Sequence, residues 1–217
     1  MAIIRSLAIG KARKSAGNLT FATIQGRTIA REKPSFISNP KTPKQLAQRS
    51  KMSKTVAAYR AFGGMVKKYF TTLPKYTSQY NEFVSRNIGI AENYVVDEDT
   101  GKVSNLAGTT VSRGSVQVDN FNGIKAVGDD QLVAGLLFPA GFVAVEGDQA
   151  ILLAFDDATA TLKSKVYEFT ASDIDDVANG NYVEVIESFP GATIESAAVV
   201  YYSPSRNLSS TAQLELL

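Results

Sequence analysis

The chain of 217 residues contains neither cysteine nor histidine. Without cysteine it can form no disulfide and no thiolate metal site. Without histidine, the usual zinc, iron and copper sites lose their main ligand, and Ser-His and Cys-His catalytic arrangements are impossible. The phosphate-cradling patterns GxxxxGK[ST] and GxGxxG are also missing. We therefore expect a protein that is not an enzyme and that uses no metal or cofactor.

Long hydrophobic runs are missing as well. The longest, from Leu132 to Val145, has 14 residues and is broken by Pro139, whereas a membrane-spanning helix needs roughly 20. At the N-terminus the basic residues follow the short apolar stretch, which is the reverse of a signal peptide. We expect a soluble protein that has no membrane partner and is not secreted by that route.

Acidic residues are scarce in the first half of the chain and basic residues in the second, although the net charge of the whole chain is only +2. Residues 1–94 contain 17 Lys+Arg against 3 Asp+Glu, a charge of +14, and residues 95–217 contain 6 against 18, a charge of −12. Such asymmetry indicates partners rather than topology. It predicts a basic module, 1–94, and an acidic module, 95–217, joined near Tyr94. The basic module could bind nucleic acid or the acidic module of another copy.

A long basic helix should begin at Thr42. Thr42 is suited to the N-cap, Pro43 to the first helical position and Gln45 to a return hydrogen bond. The apolar stripe behind the cap comprises Leu46, Met52, Val56, Tyr59, Phe62 or Gly63, Val66 and Phe70. Gly63-Gly64 should bend or divide the helix.

A β-hairpin should precede this helix, and a second helix should follow it. Residues 18–33 alternate around a Gln25-Gly26 turn, which places Ala22 opposite Ile29. Thr77 or Ser78 can cap a helix that continues to about Ala91. We expect the two helices to pack as an antiparallel pair.

The remainder of the chain has the texture of short strands separated by turns. The predicted strands are Thr110–Asp119, Gly123–Val127, Gln131–Leu137, Ala150–Phe155, Lys163–Phe169, Tyr182–Glu187, Thr193–Tyr202 and Ser210–Leu216. This spacing is typical of an antiparallel, immunoglobulin-like β-sandwich. The predicted fold class is therefore α+β, with an N-terminal β-hairpin plus two-helix module before the sandwich.

Acidic groups in the second half fall where strands should end. Asp97-x-Asp99-x-Gly101 resembles the start of a calcium loop, but Gly108 stands where the twelfth-position Glu should be. We interpret it as a tight turn, and we interpret three further groups as solvated turn acids rather than acid/base or cation sites: Asp129-Asp130, Asp156-Asp157 and Asp173-x-Asp175-Asp176.

The candidate contact residues for a partner or for DNA are basic: Arg27, Arg31, Lys33, Lys41, Lys44, Arg49, Lys51 and Lys54. They could neutralise phosphates or dock on acidic protein. Tyr59, Tyr69 and Phe70 could serve as aromatic neighbours for nucleic acid. Their spacing fits a helical core stripe better, so any DNA binding should be unspecific.

Several motifs resemble a family of proteins of unknown function that is widespread in Bacteroidetes and their phages. In the first half they are Ala16-Gly17-Asn18, Gln25-Gly26-Arg27, Ala30-Arg31-Glu32-Lys33-Pro34, Ser38-Asn39-Pro40-Lys41-Thr42 and Gln45-x-x-x-Arg49-Ser50-Lys51. Later ones are Ser78-x-x-Asn81-x-Phe83, Asn87-Ile88, Val111-Ser112-Arg113-Gly114-Ser115, Asp148-Gln149-Ala150 and Tyr201-Tyr202-Ser203.

Within that neighbourhood the chain is similar to ring or collar proteins of crAss-like phages. The similarity implies a structural virion protein of the phage neck or tail, made in the host cytoplasm, that forms a homo-oligomeric ring around the DNA channel beside portal or tail proteins. The alternative is a histone-like architectural DNA-binding protein. A weaker possibility is a host-encoded carbohydrate-binding module that uses the sandwich loops.

Overall fold

The computed structural model describes residues 2–4, 14–24, 27–36, 38–127, 131–156 and 159–217. Within these ranges the protein has an α+β fold of three helices and sixteen strands. The chain divides into two compact units, 1–46 and 47–217.

The first unit contains a four-stranded antiparallel sheet with the order β1-β4-β3-β2. Its strands are β1 (Ala2–Ile4), β2 (Lys14–Ala16), β3 (Leu19–Ile24) and β4 (Arg27–Glu32). The predicted hairpin register is confirmed, because Ala22 pairs with Ile29 and Thr20 with Arg31. The proposed turn residues, Gln25 and Gly26, lie outside the described residues.

The second unit holds most of the helices and strands. Its helices are α1 (Pro43–Tyr69), which contains the boundary between the units, α2 (Gln79–Asn87) and α3 (Ala171–Ala178). Its strands are β5 (Val95–Val96), β6 (Val103–Ser104), β7 (Thr110–Ser112), β8 (Asp119–Val127), β9 (Gln131–Leu137), β10 (Gln149–Asp156), β11 (Thr161–Glu168), β12 (Val183–Ser188), β13 (Ile194–Ser203), β14 (Leu208–Ser209), β15 (Ala212–Gln213) and β16 (Glu215–Leu216).

Helix α1 begins where its cap predicts. The Thr42 hydroxyl accepts a hydrogen bond from the Gln45 amide at 3.4 Å, and the Thr42 carbonyl accepts one from Leu46 at 3.0 Å. The helix continues through Gly63-Gly64, so the expected division there is wrong. Phe62 and Val66 are fully buried on either side of the glycines, and their packing offsets the low helix propensity of glycine.

The buried side of α1 differs from the predicted stripe at its N-terminal end. Phe62 and Val66 are buried as expected, but Leu46 and Met52 are exposed. Helix α2 has the predicted cap, since the Ser78 hydroxyl accepts from the Asn81 amide at 3.2 Å. It ends at Asn87, short of the predicted end near Ala91.

Two antiparallel sheets form the predicted sandwich. One has the order β11-β10-β13-β14, with β16 also paired to β13, and the other has the order β12-β9-β8. Ala150, Leu152 and Ala154 of β10 pack in the core with residues of the second sheet. Ile151, Leu153 and Phe155 pack in another core with α1 and α2. Unlike a plain immunoglobulin-like sandwich, this fold therefore buries both faces of its first sheet.

The compact units divide at residue 46, whereas the charge pattern placed a boundary near Tyr94. Tyr94 is fully buried in the core that contains Phe62, Phe83 and Phe155, and its hydroxyl bonds that of Thr109 at 2.9 Å. Burial raises its pKa to about 12. The helices thus share a core with the strands, because packing and not charge determines where a compact unit ends.

The charge contrast persists with the new boundary. Residues 1–46 contain 9 Lys+Arg against 1 Asp+Glu, a charge of +8. Residues 47–217 contain 14 against 20, a charge of −6. The basic and acidic residues are therefore still unevenly divided between the two units.

Candidate interaction surface

The first three predicted contact residues lie in strand β4 or directly after it. Arg27 and Arg31 are exposed and alternate with the half-buried Ile29, so the three residues share one face of the sheet. Lys33 follows the strand, and its amide donates to the Asn18 carbonyl at 2.7 Å. The structure brings these basic residues together around an apolar side chain.

The sheet of the first unit buries little of its own surface. Among residues 14–23 and 27–36, whose side chains are described, only Thr28 and Ala30 are buried. Leu19 and Phe36 are 45% and 83% exposed. A sheet with so small a core gains little hydrophobic stabilisation by itself.

The next predicted residues lie at the start of α1. Lys41, Lys44 and Arg49 are all exposed, as is every residue from 41 to 50. No Asp or Glu occurs between Glu32 and Glu82 in the sequence. This stretch therefore presents positive charge that no acid of the same stretch offsets.

Lys51 and Lys54 depart from the predicted role. The Lys51 ammonium pairs with the Glu92 carboxylate at 2.7 Å, and it lowers the pKa of that carboxyl group. Lys54 donates to the Glu92 carbonyl at 3.2 Å. These two side chains bind the segment after α2, so the predicted partner surface loses them to contacts within the chain.

The three aromatic residues considered for base stacking belong to the core, as their spacing predicted. Tyr69 and Phe70 are buried. Tyr59 makes edge contacts with Tyr80 and Phe83, with ring centroids 4.8 and 5.6 Å apart. Tyr69 and Phe70 therefore offer no exposed ring for base stacking, and the half-buried Tyr59 packs against two aromatic side chains of α2.

Two motifs of the family resemblance form a brace between α2 and β7. The buried Glu82 carboxylate accepts hydrogen bonds from Arg86, at 3.0 Å, and from Arg113. The Asn87 side chain donates to the Thr110 carbonyl at 3.1 Å and accepts from its amide at 2.8 Å. Arg113 and Asn87 are therefore explained by their contacts within the fold.

The same brace includes the C-terminal strands. A Cβ on Gly114 would lie 1.5 Å from the Ser209 carbonyl oxygen, so residue 114 has room only for glycine. The Ser209 hydroxyl donates to the Tyr69 carbonyl at 2.8 Å. The close approach of these segments accounts for glycine in the Val111–Ser115 motif.

Asp148 and Tyr201, from the two remaining motifs, form a buried polar cluster with Arg206. The Asp148 Oδ2 accepts from the Tyr201 hydroxyl at 2.5 Å and from Arg206 at 2.7 Å. Arg206 also donates to the Val143 carbonyl at 2.9 Å, and burial raises the pKa of Tyr201. Asp148 is fully buried, and the cluster fastens the turn after β13 to the segment before β10.

Apart from the buried Asp156, the predicted turn acids have three outcomes. The tight turn at Asp97 is confirmed, because the Asp97 carboxylate accepts from the Asp99 and Thr100 amides. Asp173, Asp175 and Asp176 lie instead in helix α3, where Asp173 forms a capping box with Thr170. Asp129-Asp130 and Asp157 lie outside the described residues.

Asp156 is buried and not a solvated turn acid. Its carboxylate pairs with Lys163 at 2.9 Å and accepts from the Thr159 hydroxyl at 2.9 Å. The Lys163 contact lowers the pKa of Asp156 to about 2. In the described part of the chain, no three His, Cys, Asp or Glu side chains are grouped to hold a metal ion.

One exposed apolar surface escaped the sequence analysis. It is the outer face of the β12-β9-β8 sheet, where Val127 and Ile186 are 51% and 52% exposed and Val133 and Leu137 are half-buried. The sequence of β12 indicates this surface, because Ile186 occupies an outward position of the strand, where the alternation of buried and exposed residues would place a polar side chain.

The comparison with family models decides the relationship of the chain. Residues 10–195 match the model of the Family of unknown function (DUF6266). The chain belongs to this family. Neither a curated protein nor a solved structure matches it. Among the described helices of this DUF6266 member, none is long and apolar enough to cross a membrane.

Proposed function

We propose that this DUF6266 protein is a structural subunit that assembles with copies of itself, as a ring-forming component of a phage neck or tail. The observation that carries self-assembly is the exposed, basic sheet of the first unit. A sheet that buries so few of its described side chains is stabilised when a partner covers it. The virion setting rests on the motif resemblance to collar proteins, which implies portal or tail proteins as neighbours and the virion as location.

Charge identifies the other side of the contact. The first unit carries +8 and the second −6, so the two surfaces are electrostatically complementary between copies. Complementary potentials raise the association rate and fix the orientation of partners. A contact between unlike surfaces is heterologous, and repeated heterologous contacts form a ring when the rotation closes. Closure also covers sheet edges that would otherwise invite unspecific pairing.

The second candidate is an architectural DNA-binding protein. The exposed cations from Lys41 to Arg49, with no acid beside them in the sequence, favour it. The burial of Tyr69 and Phe70 and the packing of Tyr59 against α2 argue against a stacking platform, and the acidic second unit would repel a duplex. Binding to DNA would then be weak, unspecific and strongly dependent on salt.

Self-assembly is tested on the full-length protein by mass photometry and analytical ultracentrifugation at low and high salt, with negative-stain imaging of any oligomer. We expect discrete oligomers that dissociate as salt is raised, because screening weakens contacts between exposed charges. A chain that stays monomeric at all protein concentrations and salts contradicts the proposal. Mass spectrometry of purified phage particles tests the virion setting separately.

A charge-reversal variant sharpens this test. Arg31→Glu combined with Lys33→Glu should shift the equilibrium towards the monomer. Lys165→Glu combined with Lys75→Glu, two exposed positions in the second unit that lie outside the β12-β9-β8 sheet, changes the net charge equally and should preserve assembly. If instead the wild-type protein binds a DNA duplex with a steep salt slope and remains monomeric without it, the architectural function is supported.

A further inference from the structure

We infer that the outer face of the β12-β9-β8 sheet binds the exposed face of strand β4 from a second copy. This inference rests on the proposed self-assembly and adds the surface by which it occurs. The surface is defined by Val127, Val133, Leu137, Glu184 and Ile186, and is called the docking face below.

The pleat of the sheet explains why apolar side chains lie on the docking face. Leu132, Ala134 and Leu136 of β9 point into the sandwich core. The alternate residues Val133 and Leu137 therefore point outwards. Val133 pairs with Ile186 on β12, so two apolar side chains from neighbouring strands adjoin at the centre of the face. On its other side Val133 pairs with the exposed Lys125 of β8.

Carboxylates flank this apolar centre. Glu184 is exposed and lies two residues before Ile186 on the same face of β12. At the other end of the sheet, the exposed Asp119 pairs with Leu137. The docking face thus combines an apolar centre with the carboxylates of Glu184 and Asp119 and the ammonium of Lys125, as do many protein interfaces with an apolar core and a polar rim.

The exposed face of β4 has the complementary arrangement. Ile29 alternates with Arg27 and Arg31, and all three point to one side of the strand. Side chains two residues apart along a strand are separated by about 6.7 Å. Ile29 and Arg31 therefore have the same spacing as Ile186 and Glu184, so an apolar contact and an ion pair can form at one register.

The charges favour a second copy as the occupant. The unit that bears β4 is the basic one, at +8, and the unit that bears the docking face is the acidic one, at −6. Every copy carries both surfaces, so each subunit can engage two neighbours. This is the valence that a closed ring needs.

The first test uses the lack of cysteine, because any introduced thiol is then unique in its chain. Ala22→Cys lies on the exposed face of the hairpin opposite Ile29, and Ile186→Cys lies on the docking face. Full-length chains that each carry one of these changes, one of them with a size tag, are mixed and mildly oxidised. We expect a disulfide-linked heterodimer, because docking brings the two thiols together. Forming the S–S bond transfers two electrons to the added oxidant and releases two protons.

The matched control replaces Ile186→Cys with Val143→Cys, which is 64% exposed and outside the sheet. Cross-linking to the docking face should exceed this control by about fivefold or more, because docking raises the effective thiol concentration. Equal yields overturn the inference. The inference is also overturned if the double variant Ala22→Cys, Ile186→Cys forms a cross-link within one chain while the mixed single variants form none between chains.

The second test is a charge swap read out by ultracentrifugation. Arg31→Glu and Glu184→Arg should each weaken association by about tenfold, and the double variant should recover most of that loss, because only a direct pair is rescued by exchange. Glu98→Arg, in the exposed Asp97 turn, is the control for Glu184→Arg. If oligomers form but the double variant recovers no association and no cross-link appears, the proposed docking face is wrong while self-assembly is still supported. A wild-type monomer overturns both.

Discussion

Gly114 packs against the backbone carbonyl of Ser209 so closely that a methyl group at residue 114 would lie 1.5 Å from the oxygen. The same carbonyl accepts a hydrogen bond from the Val116 amide at 3.2 Å. Gly114→Ala must move one of the two segments and break this contact. We expect a loss of about 2–4 kcal/mol in the free energy of unfolding, as for other overpacked buried sites. Urea unfolding followed by circular dichroism measures it, and an unchanged midpoint would contradict the close approach.

Gly64 offers the opposite outcome. It lies inside α1, and a Cβ there would meet no atom within 4 Å. Gly64→Ala should raise the free energy of unfolding by about 0.5–1 kcal/mol, since alanine loses less conformational entropy in a helix. The same urea experiment serves. A destabilised variant would show that α1 needs flexibility at the glycine pair.

The two arginines that bind Glu82 should differ in importance. Arg113→Met should cost about 2–3 kcal/mol, because the buried carboxylate loses a charged donor. Arg86→Met should cost under about 1 kcal/mol, because the Arg86 side chain is 50% exposed. Both variants are compared by thermal and urea unfolding. Equal effects would mean that Arg113 is not the main partner of Glu82.

The ion pair of the buried Asp156 with the partly exposed Lys163 should make stability depend on pH. The pKa of Asp156 is lowered from 3.8 to about 2 in the folded protein. Its contribution is therefore complete above about pH 4 and is lost as the pH falls towards 2, because the unfolded chain takes up the proton first.

Lys163→Met should remove about 1–2 kcal/mol of this contribution at neutral pH and reduce the slope of stability between pH 4 and 2. Urea unfolding across pH 2–7 measures the slope. Lys165→Met, on the same strand but without an ion pair to Asp156, should leave the slope as in the wild type. A Lys163→Met profile parallel to the wild type would contradict the assignment.

Local rules predicted much of the secondary structure. The start of α1 follows from Thr42 and Pro43, since a cap depends on residues three or four apart. The hairpin register follows from the alternation together with the position of the predicted Gln25-Gly26 turn, and β9 has the predicted bounds, Gln131–Leu137. These features need no knowledge of distant residues.

Features that depend on distant contacts escaped prediction. The pairing of Glu82 with Arg113 joins residues 31 positions apart, and no local pattern announces it. Helix α3 was missed although Thr170 and Asp173 have capping-box spacing, because its acids were interpreted as turn residues. For the candidate site, exposure at Arg31 and Lys44 was predictable from polarity, but the contacts of Lys51 and Lys54 with Glu92 were not.

Because both faces of β10 are buried, a shift of its sequence by one residue should be unusually destabilising. Ala150, Leu152 and Ala154 supply one core, and Ile151, Leu153 and Phe155 supply the other. Deleting one residue near the start of the strand would exchange the two sets. Larger side chains would then overpack the core that now accommodates alanines, and smaller ones would leave cavities in the core beneath the helices. Length variation in natural homologues should therefore spare this strand and accumulate in the connecting loops.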